Sequence, residues 1–257
     1  MSQRTSGITN PEEEELAKKK NELSDLESSL ADQELDLAEL RRELSTFERR
    51  YVRIVGKLYA ELDEIEARIA EEIARTDPSN AKAQHTATEA REQASASRSA
   101  VDKNLATKGR EHDPSPSAAL KSLYREVAKR LHPDLASESS DRARRQRLMA
   151  EANAAYQAGD EKRLRAILEE YEMSPDSVTG DGTAADLVRA IRKIAQVRRR
   201  LAQIDEEINL LRKSELFEFK TKVDRAVVEG RDLLQEMAED LKAQIALSEE
   251  RFRKVVR

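Results

Sequence analysis

A seven-residue spacing of apolar residues in the first third of the chain constrains the fold more than any other feature. From Leu16 to Ile65, every seventh residue is leucine, tyrosine or isoleucine. A repeat kept over this many turns predicts a long helix that packs against another helix as a left-handed coiled coil. The residues that should form its apolar seam are Leu23, Leu30, Leu37, Leu40, Leu44, Phe47, Tyr51, Ile54 and Leu58.

Composition and chain breaks extend this prediction to the whole molecule. The 257 residues are 38% charged and only 4% aromatic, with seven glycines, which is typical of long helices and argues against a sheet with many turns. Proline-containing segments near Pro78, Pro114 and Pro175 mark helix boundaries. We therefore expect an all-α chain. Its predicted segments are a disordered tail (1–10), a coiled-coil helix (11–75), an Ala/Ser-rich linker or exposed helix (76–116), a small helical domain (117–172), a linker (173–183), and a coiled-coil helix or helical hairpin (184–257).

The last segment carries a second apolar repeat, whose phase slips near Lys213 to Phe219. The slip is compatible either with a helical hairpin or with one long helix that contains a stutter. Neither apolar seam finds a partner within its own segment, and each must be buried somewhere. The two segments either pack on each other in antiparallel fashion, or they meet a second copy or another protein.

The small helical domain contains the most informative motif, LYREVAKRLHPD, at residues 123–134. It reads as a basic amphipathic helix that runs into His132-Pro133-Asp134. Because proline lacks a backbone N–H and disfavours helical geometry at the preceding residue, the helix should end near His132. The apolar faces of this helix and of the following helix predict a core of Leu120, Tyr124, Val127, Leu131, Met149, Ala152 and Tyr156.

The motif and the later stretch RQRLMAEANAAY resemble the second and third helices of a J-domain, the module of DnaJ-type co-chaperones. A recognisable first helix is missing before Ser117. The resemblance implies a J-like domain between two coiled-coil segments, and a surface that docks onto a DnaK-type chaperone and stimulates its ATPase. The residues it assigns to that surface are His132, Pro133 and Asp134 in the loop, with Lys121, Arg125, Lys129 and Arg130 on the positive helix face. A cationic helix of this kind would steer towards an acidic partner.

Other functions receive little support from the residues. The chain has no cysteine and only three histidines, without metal-ligand spacing, so we expect no enzymatic activity, cofactor or metal. The net charge of -5 makes nucleic acid an unlikely partner. Without a long apolar run we expect a cytoplasmic protein that does not cross a membrane. The alternative to a co-chaperone is a coiled-coil adaptor that uses the J-like domain only to bind proteins. Its coiled coils would join a second copy of the chain or another coiled-coil protein.

Overall fold

The computed structural model describes residues 11–106, 116–136, 139–172 and 183–256, and these are helical almost throughout, which confirms the all-α prediction. The predicted tail, most of the linker after residue 172, and the residues around Asp113 lie outside the described ranges. The helices are α1 (Pro11–Tyr51), α2 (Lys57–Thr76), α3 (Ala81–Ala106), α4 (Ala118–Leu131), α5 (Ser139–Ala158), α6 (Glu161–Glu172), α7 (Thr183–Arg212), α8 (Glu215–Val228) and α9 (Leu233–Val255). A π-helical turn (Val52–Gly56) joins α1 to α2.

The described residues divide into two compact units, each assembled from separate stretches of the chain. The first unit contains those of Met1–Arg42 and His112–Arg212, and the second contains those of Glu43–Glu111 and Lys213–Arg257. Each of the two predicted coiled-coil segments thus contributes to both units. The small helical domain lies in the first unit together with the first part of α1 and all of α7.

Helices α4, α5 and α6 pack against one another around a single apolar cluster. Ser117 caps α4 by accepting a hydrogen bond from the Leu120 amide at 2.9 Å. Helix α6 contributes Leu164 and Ile167, and α1 contributes Ala31, Leu35 and Ala38 to the same cluster. Helices α6 and α1 therefore complete the apolar cluster between α4 and α5. All seven predicted core residues are buried, namely Leu120, Tyr124, Val127, Leu131, Met149, Ala152 and Tyr156.

The leucine seam of α1 in the first unit is covered by α7 of the same chain. Leu30 and Leu37 are buried against Val197 and Ile204, and Leu23 and Leu26 pack at the edge of this cluster. Ion pairs join Glu22 to Arg198 at 2.7 Å and Arg41 to Glu207 at 2.5 Å. Residue numbers thus rise together along the two helices, as in a parallel pair. The first unit therefore has an intramolecular pairing, but the antiparallel direction that we expected for such a pairing is wrong, because the ion pairs follow a parallel order.

The second unit buries the continuation of this seam among α2, α8 and α9. Leu44 and Phe47 are buried, whereas Leu40 in the first unit and Tyr51, Ile54 and Leu58 in the second are partly exposed. The apolar clusters here combine Phe47, Val55, Val223, Leu234 and Leu241, and further along Ile65, Ile69 and Ile245. Helix α3 returns along α2 as an antiparallel neighbour, since Gln84 bonds to Ala74 near the bend and Ser97 bonds to Asp63 further away. Within the Ala/Ser-rich segment, Ala81–Ala106 therefore form a helix with a partner.

The C-terminal segment is interrupted twice, at Lys213-Ser214 and between Glu229 and Asp232. Ser214 caps α8 and Asp232 caps α9 through their side-chain oxygens. Gly230 has a φ of 78° and closes α8, while the Arg231 amide donates to the Ala226 carbonyl at 2.9 Å. The part of the second apolar repeat that follows Lys213 is therefore divided between two separate helices, α8 and α9.

Candidate functional site: the turn after helix α4

Helix α4 ends at Leu131, as the proline predicts, and the next three residues form a tight 3₁₀ turn (Pro133–Leu135). His132 leaves helical geometry, with φ of -59° and ψ of 130°. The turn is closed by two backbone bonds, from the Leu135 amide to the His132 carbonyl at 3.1 Å and from the Ala136 amide to the Pro133 carbonyl at 3.2 Å. The motif is thus a rigid corner between α4 and α5.

The imidazole of His132 points inwards and is only 2% exposed. Its Nδ1 accepts a hydrogen bond from the Asp134 amide at 3.2 Å, so that the ring proton is assigned to Nε2. Nε2 then lies 2.9 Å from Glu34 Oε1 of α1, to which it donates. Both hydrogen-bonding positions of the ring are consequently used within the chain.

Glu34 is a buried carboxylate shared by three elements. Its Oε1 accepts hydrogen bonds from His132 Nε2 and, at 2.8 Å, from Arg200 Nε of α7. Burial acts to raise the pKa of Glu34, but the hydrogen bonds from His132 and Arg200 and the charge of Arg200 outweigh it, and the pKa lies below its ordinary value. Arg200 also bonds to Glu207 at 2.8 Å. The charge of Glu34 is therefore compensated by partners that fix α1, α7 and the turn together.

Leu135 adds an apolar contact to this polar anchor. It follows directly after the motif and is 7% exposed. Its side chain belongs to the cluster of Leu30, Leu37, Val197 and Ile204 between α1 and α7. The turn is thus held to the leucine seam by one buried side chain in addition to the hydrogen bonds of His132.

The positive face of α4 is met by polar residues of α1. Lys121 Nζ lies 2.6 Å from Glu39 Oε1, and Arg125 Nε lies 2.7 Å from Asp32 Oδ1. Lys129 Nζ donates to Ser28 Oγ at 3.4 Å. Arg130 instead pairs within its own helix, with Glu126 at 2.7 Å. Three of the four predicted cationic docking residues therefore contact α1.

Two tyrosines connect α4 to α5 beneath this face. The Tyr124 and Tyr156 rings have centroids 4.7 Å apart, and the Tyr124 hydroxyl bonds to Asn153 Oδ1. Burial, reinforced by the nearby carboxylate of Glu34, raises the pKa of Tyr124 above its ordinary value. The Tyr156 hydroxyl donates to Glu39 at 3.3 Å, so both tyrosines are neutral donors in the packed interior.

Asp134 is the more accessible polar residue of the motif. Its side chain is 25% exposed and pairs with Arg142 Nη2 at 3.2 Å. It borders a polar cleft of about 310 Å³, and the other residues that line this cleft are Arg142, Gln146, Gln196, Arg199, Arg200 and Gln203. Asp134 and Arg142 are therefore open to solvent while His132 is not.

The sequence did not indicate Glu34, Arg200 or Leu135 as parts of this site. Glu34 and Arg200 lie far from His132 along the chain and follow no local motif. The available signal was charge complementarity, because acidic residues recur on α1 opposite the basic positions of α4. That signal requires the two helices to be known as neighbours, which the repeat alone does not establish.

Two classes of site are not found within the described residues. No cluster of three histidine or carboxylate side chains suited to a metal ion occurs there. Likewise, none of the helices in the described ranges is long and apolar enough to cross a membrane.

Comparison with known proteins gives no family for the chain. A scan against protein-family models, a search of curated proteins and a search of solved structures each found no match. The resemblance to J-domains thus stays a prediction from the residues of α4, the turn and α5.

Proposed function

We propose that the protein is a co-chaperone that recruits a DnaK-type chaperone and stimulates its ATPase. The observation that carries the proposal is the pair α4 and α5, joined at His132-Pro133-Asp134 and packed through Tyr124 and Tyr156. This corner would present Asp134 beside a cationic helix, a combination suited to an acidic protein surface. A cytoplasmic location and the use of the paired long helices for clients or assembly are part of the same proposal.

Asp134 offers the sharpest test of this function, because its side chain is partly exposed and no apolar core depends on it. ATP hydrolysis by a purified DnaK-type chaperone is measured with the full chain and with Asp134→Asn. We expect acceleration by the native chain, or by an α1 variant that combines Asp32→Asn, Glu34→Gln and Glu39→Gln. In the same background, Asp134→Asn should reduce the acceleration about tenfold. Glu170→Gln, an exposed position on α6, is the matched control and should change nothing.

Absence of acceleration by both the native chain and the α1 variant would contradict the proposal. Equal acceleration with and without Asp134→Asn would also contradict it, because the corner would then play no part in the effect.

The second candidate is a structural adaptor, and the burial of His132 favours it. In this role the motif would serve only to fix the corner to α1 and α7. A charged substitution at Leu44 is a poor test, because Leu44 is buried and its replacement would disrupt packing. Leu247, which is 66% exposed on α9, is a better position.

Under the adaptor function, a complex with a defined partner protein would survive Asp134→Asn and would be weakened by Leu247→Asp. The reverse pattern, measured by the dissociation constant of that complex, would contradict the adaptor role. Glu250→Gln, exposed on the same helix, controls for the change of a surface residue.

A further inference from the structure

Helix α1 lies over the surface that the proposed co-chaperone function would need. We infer that the stretch of α1 from Ser28 to Glu39 is a built-in occupant of the α4 and His132 surface, and that an acidic partner must displace it in order to dock. This inference rests on the proposed function, since it concerns access to the same surface.

The side chains of α1 match the cationic face of α4 group by group. Asp32 and Glu39 reach Arg125 and Lys121, and Ser28 reaches Lys129. Glu34, between them in sequence, takes the one proton that His132 has to donate. An acidic protein that recognised the same basic groups would need the positions that these α1 side chains already hold.

The contact between α1 and the face of α4 is largely polar, and its Arg125–Asp32 pair is exposed. The leucine seam of α1, with Leu30 and Leu37, packs against α7 and against Leu135 of the turn, and the described members of this cluster include no residue of α4. Towards the α4 core α1 contributes one leucine, Leu35, and two alanines. The Arg125–Asp32 pair is about half exposed on both sides, and exposed ion pairs add little to stability.

Most members of the apolar cluster beneath this contact belong to the helical domain itself. Tyr124, Leu131, Tyr156, Leu164 and Ile167 are fully buried, and they come from α4, α5 and α6 alone. Release of α1 would therefore expose the cationic face and His132 while leaving most of the apolar cluster in place.

The test removes the charges of α1 without changing the size of its side chains. In the full chain, Asp32→Asn, Glu34→Gln and Glu39→Gln are combined in one α1 variant. The matched control is Glu14→Gln, Asp25→Asn and Glu48→Gln, which makes the same change of charge at exposed positions of the same helix. Two quantities are measured: the rate at which diethyl pyrocarbonate modifies His132, by peptide mass, and ATP hydrolysis by a DnaK-type chaperone.

We expect the α1 variant to increase both the modification of His132 and the stimulation of ATP hydrolysis by about fivefold or more, because a larger fraction of molecules exposes the surface. The control variant should behave as the native chain does. If His132 is modified faster in the α1 variant but neither the native chain nor the variant accelerates ATP hydrolysis, the proposed function is overturned. That result would still support α1 as a cover of His132. Unchanged modification, with equal acceleration by the native chain and the α1 variant, would overturn the inference while supporting the function.

Discussion

At the scale of single residues, Glu34 holds the turn after α4 in place through its hydrogen bonds with His132 and Arg200. A carboxylate that is 7% exposed would be costly if it stood alone, but here two donors share one of its oxygens. Its removal would leave the guanidinium of Arg200 with only Glu207 and the imidazole of His132 without an acceptor. A buried group left without its partner costs more than the intact pair contributes.

From this asymmetry we predict that Glu34→Ala destabilises the first unit by about 3 kcal/mol in the free energy of unfolding. Glu34→Gln should cost less, because its amide oxygen still accepts a hydrogen bond from His132. Urea unfolding followed at amides of α4 and α5 measures both values. Equal losses for the two variants would show that the lost charge of the carboxylate, and not the lost acceptor or the lost side-chain volume, sets the effect.

The lowered pKa of Glu34 also predicts a pH dependence. A carboxylate whose pKa is lower in the folded chain stabilises the fold fully above its unfolded value, 4.5, and the contribution is lost as the pH falls through the lowered pKa. The protection of the amides in residues 132–136 against hydrogen exchange, after correction for the intrinsic exchange rate at each pH, should therefore fall below about pH 4.5. In Glu34→Gln this acid-dependent step should be absent. A step of equal size in that variant would show that Glu34 is not its cause.

At the scale of elements, single residues at the helix ends determine where helices of this chain stop. Gly230 closes α8 with a φ of 78°, a conformation that costs most residues with a side chain. A Cβ built at Gly230 would have no atom within 4 Å, so that only backbone strain opposes a substitution. We predict that Gly230→Ala lowers the stability of the second unit by about 1 kcal/mol.

Gly230→Asn is the control for this prediction, because asparagine tolerates positive φ better than alanine. It should therefore lose less stability in a thermal unfolding series of the full chain. A loss for asparagine as large as that for alanine would point to exposure or packing and away from φ as the cause.

The elements also show what could and could not be predicted from the sequence. The end of α4 at Leu131 and the interruption near Lys213 were predictable, because proline and a change of repeat phase act locally. Val55 was not predicted as a core residue, although it is fully buried, because the π-helical turn from Val52 to Gly56 shifts the face of the helix. The pairing of α3 with α2 was also missed, since alanine and serine leave only a weak apolar stripe and ion pairs such as Arg91 with Glu64 and Glu71 depend on tertiary neighbours.

At the scale of the whole molecule, the two apolar repeats find partners inside the same chain. In the first unit Leu30 and Leu37 are buried by α7, and in the second unit Phe47 and Val55 are buried with residues of α8 and α9. A coiled-coil seam that is already covered offers little apolar area to a second copy. The sequence alone left this choice open, because a heptad pattern specifies that a seam is buried but not by which chain.

The intramolecular pairing predicts a monomer. Sedimentation equilibrium of the full chain at micromolar concentration should give a mass close to 29.1 kDa, and the mass should not change with moderate salt. Leu37→Asp is informative here, because it places a charge in the seam between α1 and α7. It should weaken the first unit and raise the reactivity of His132. The mass in solution should remain that of one chain. A native mass of twice the chain that falls to one chain in Leu37→Asp would instead show that the seam joins two copies.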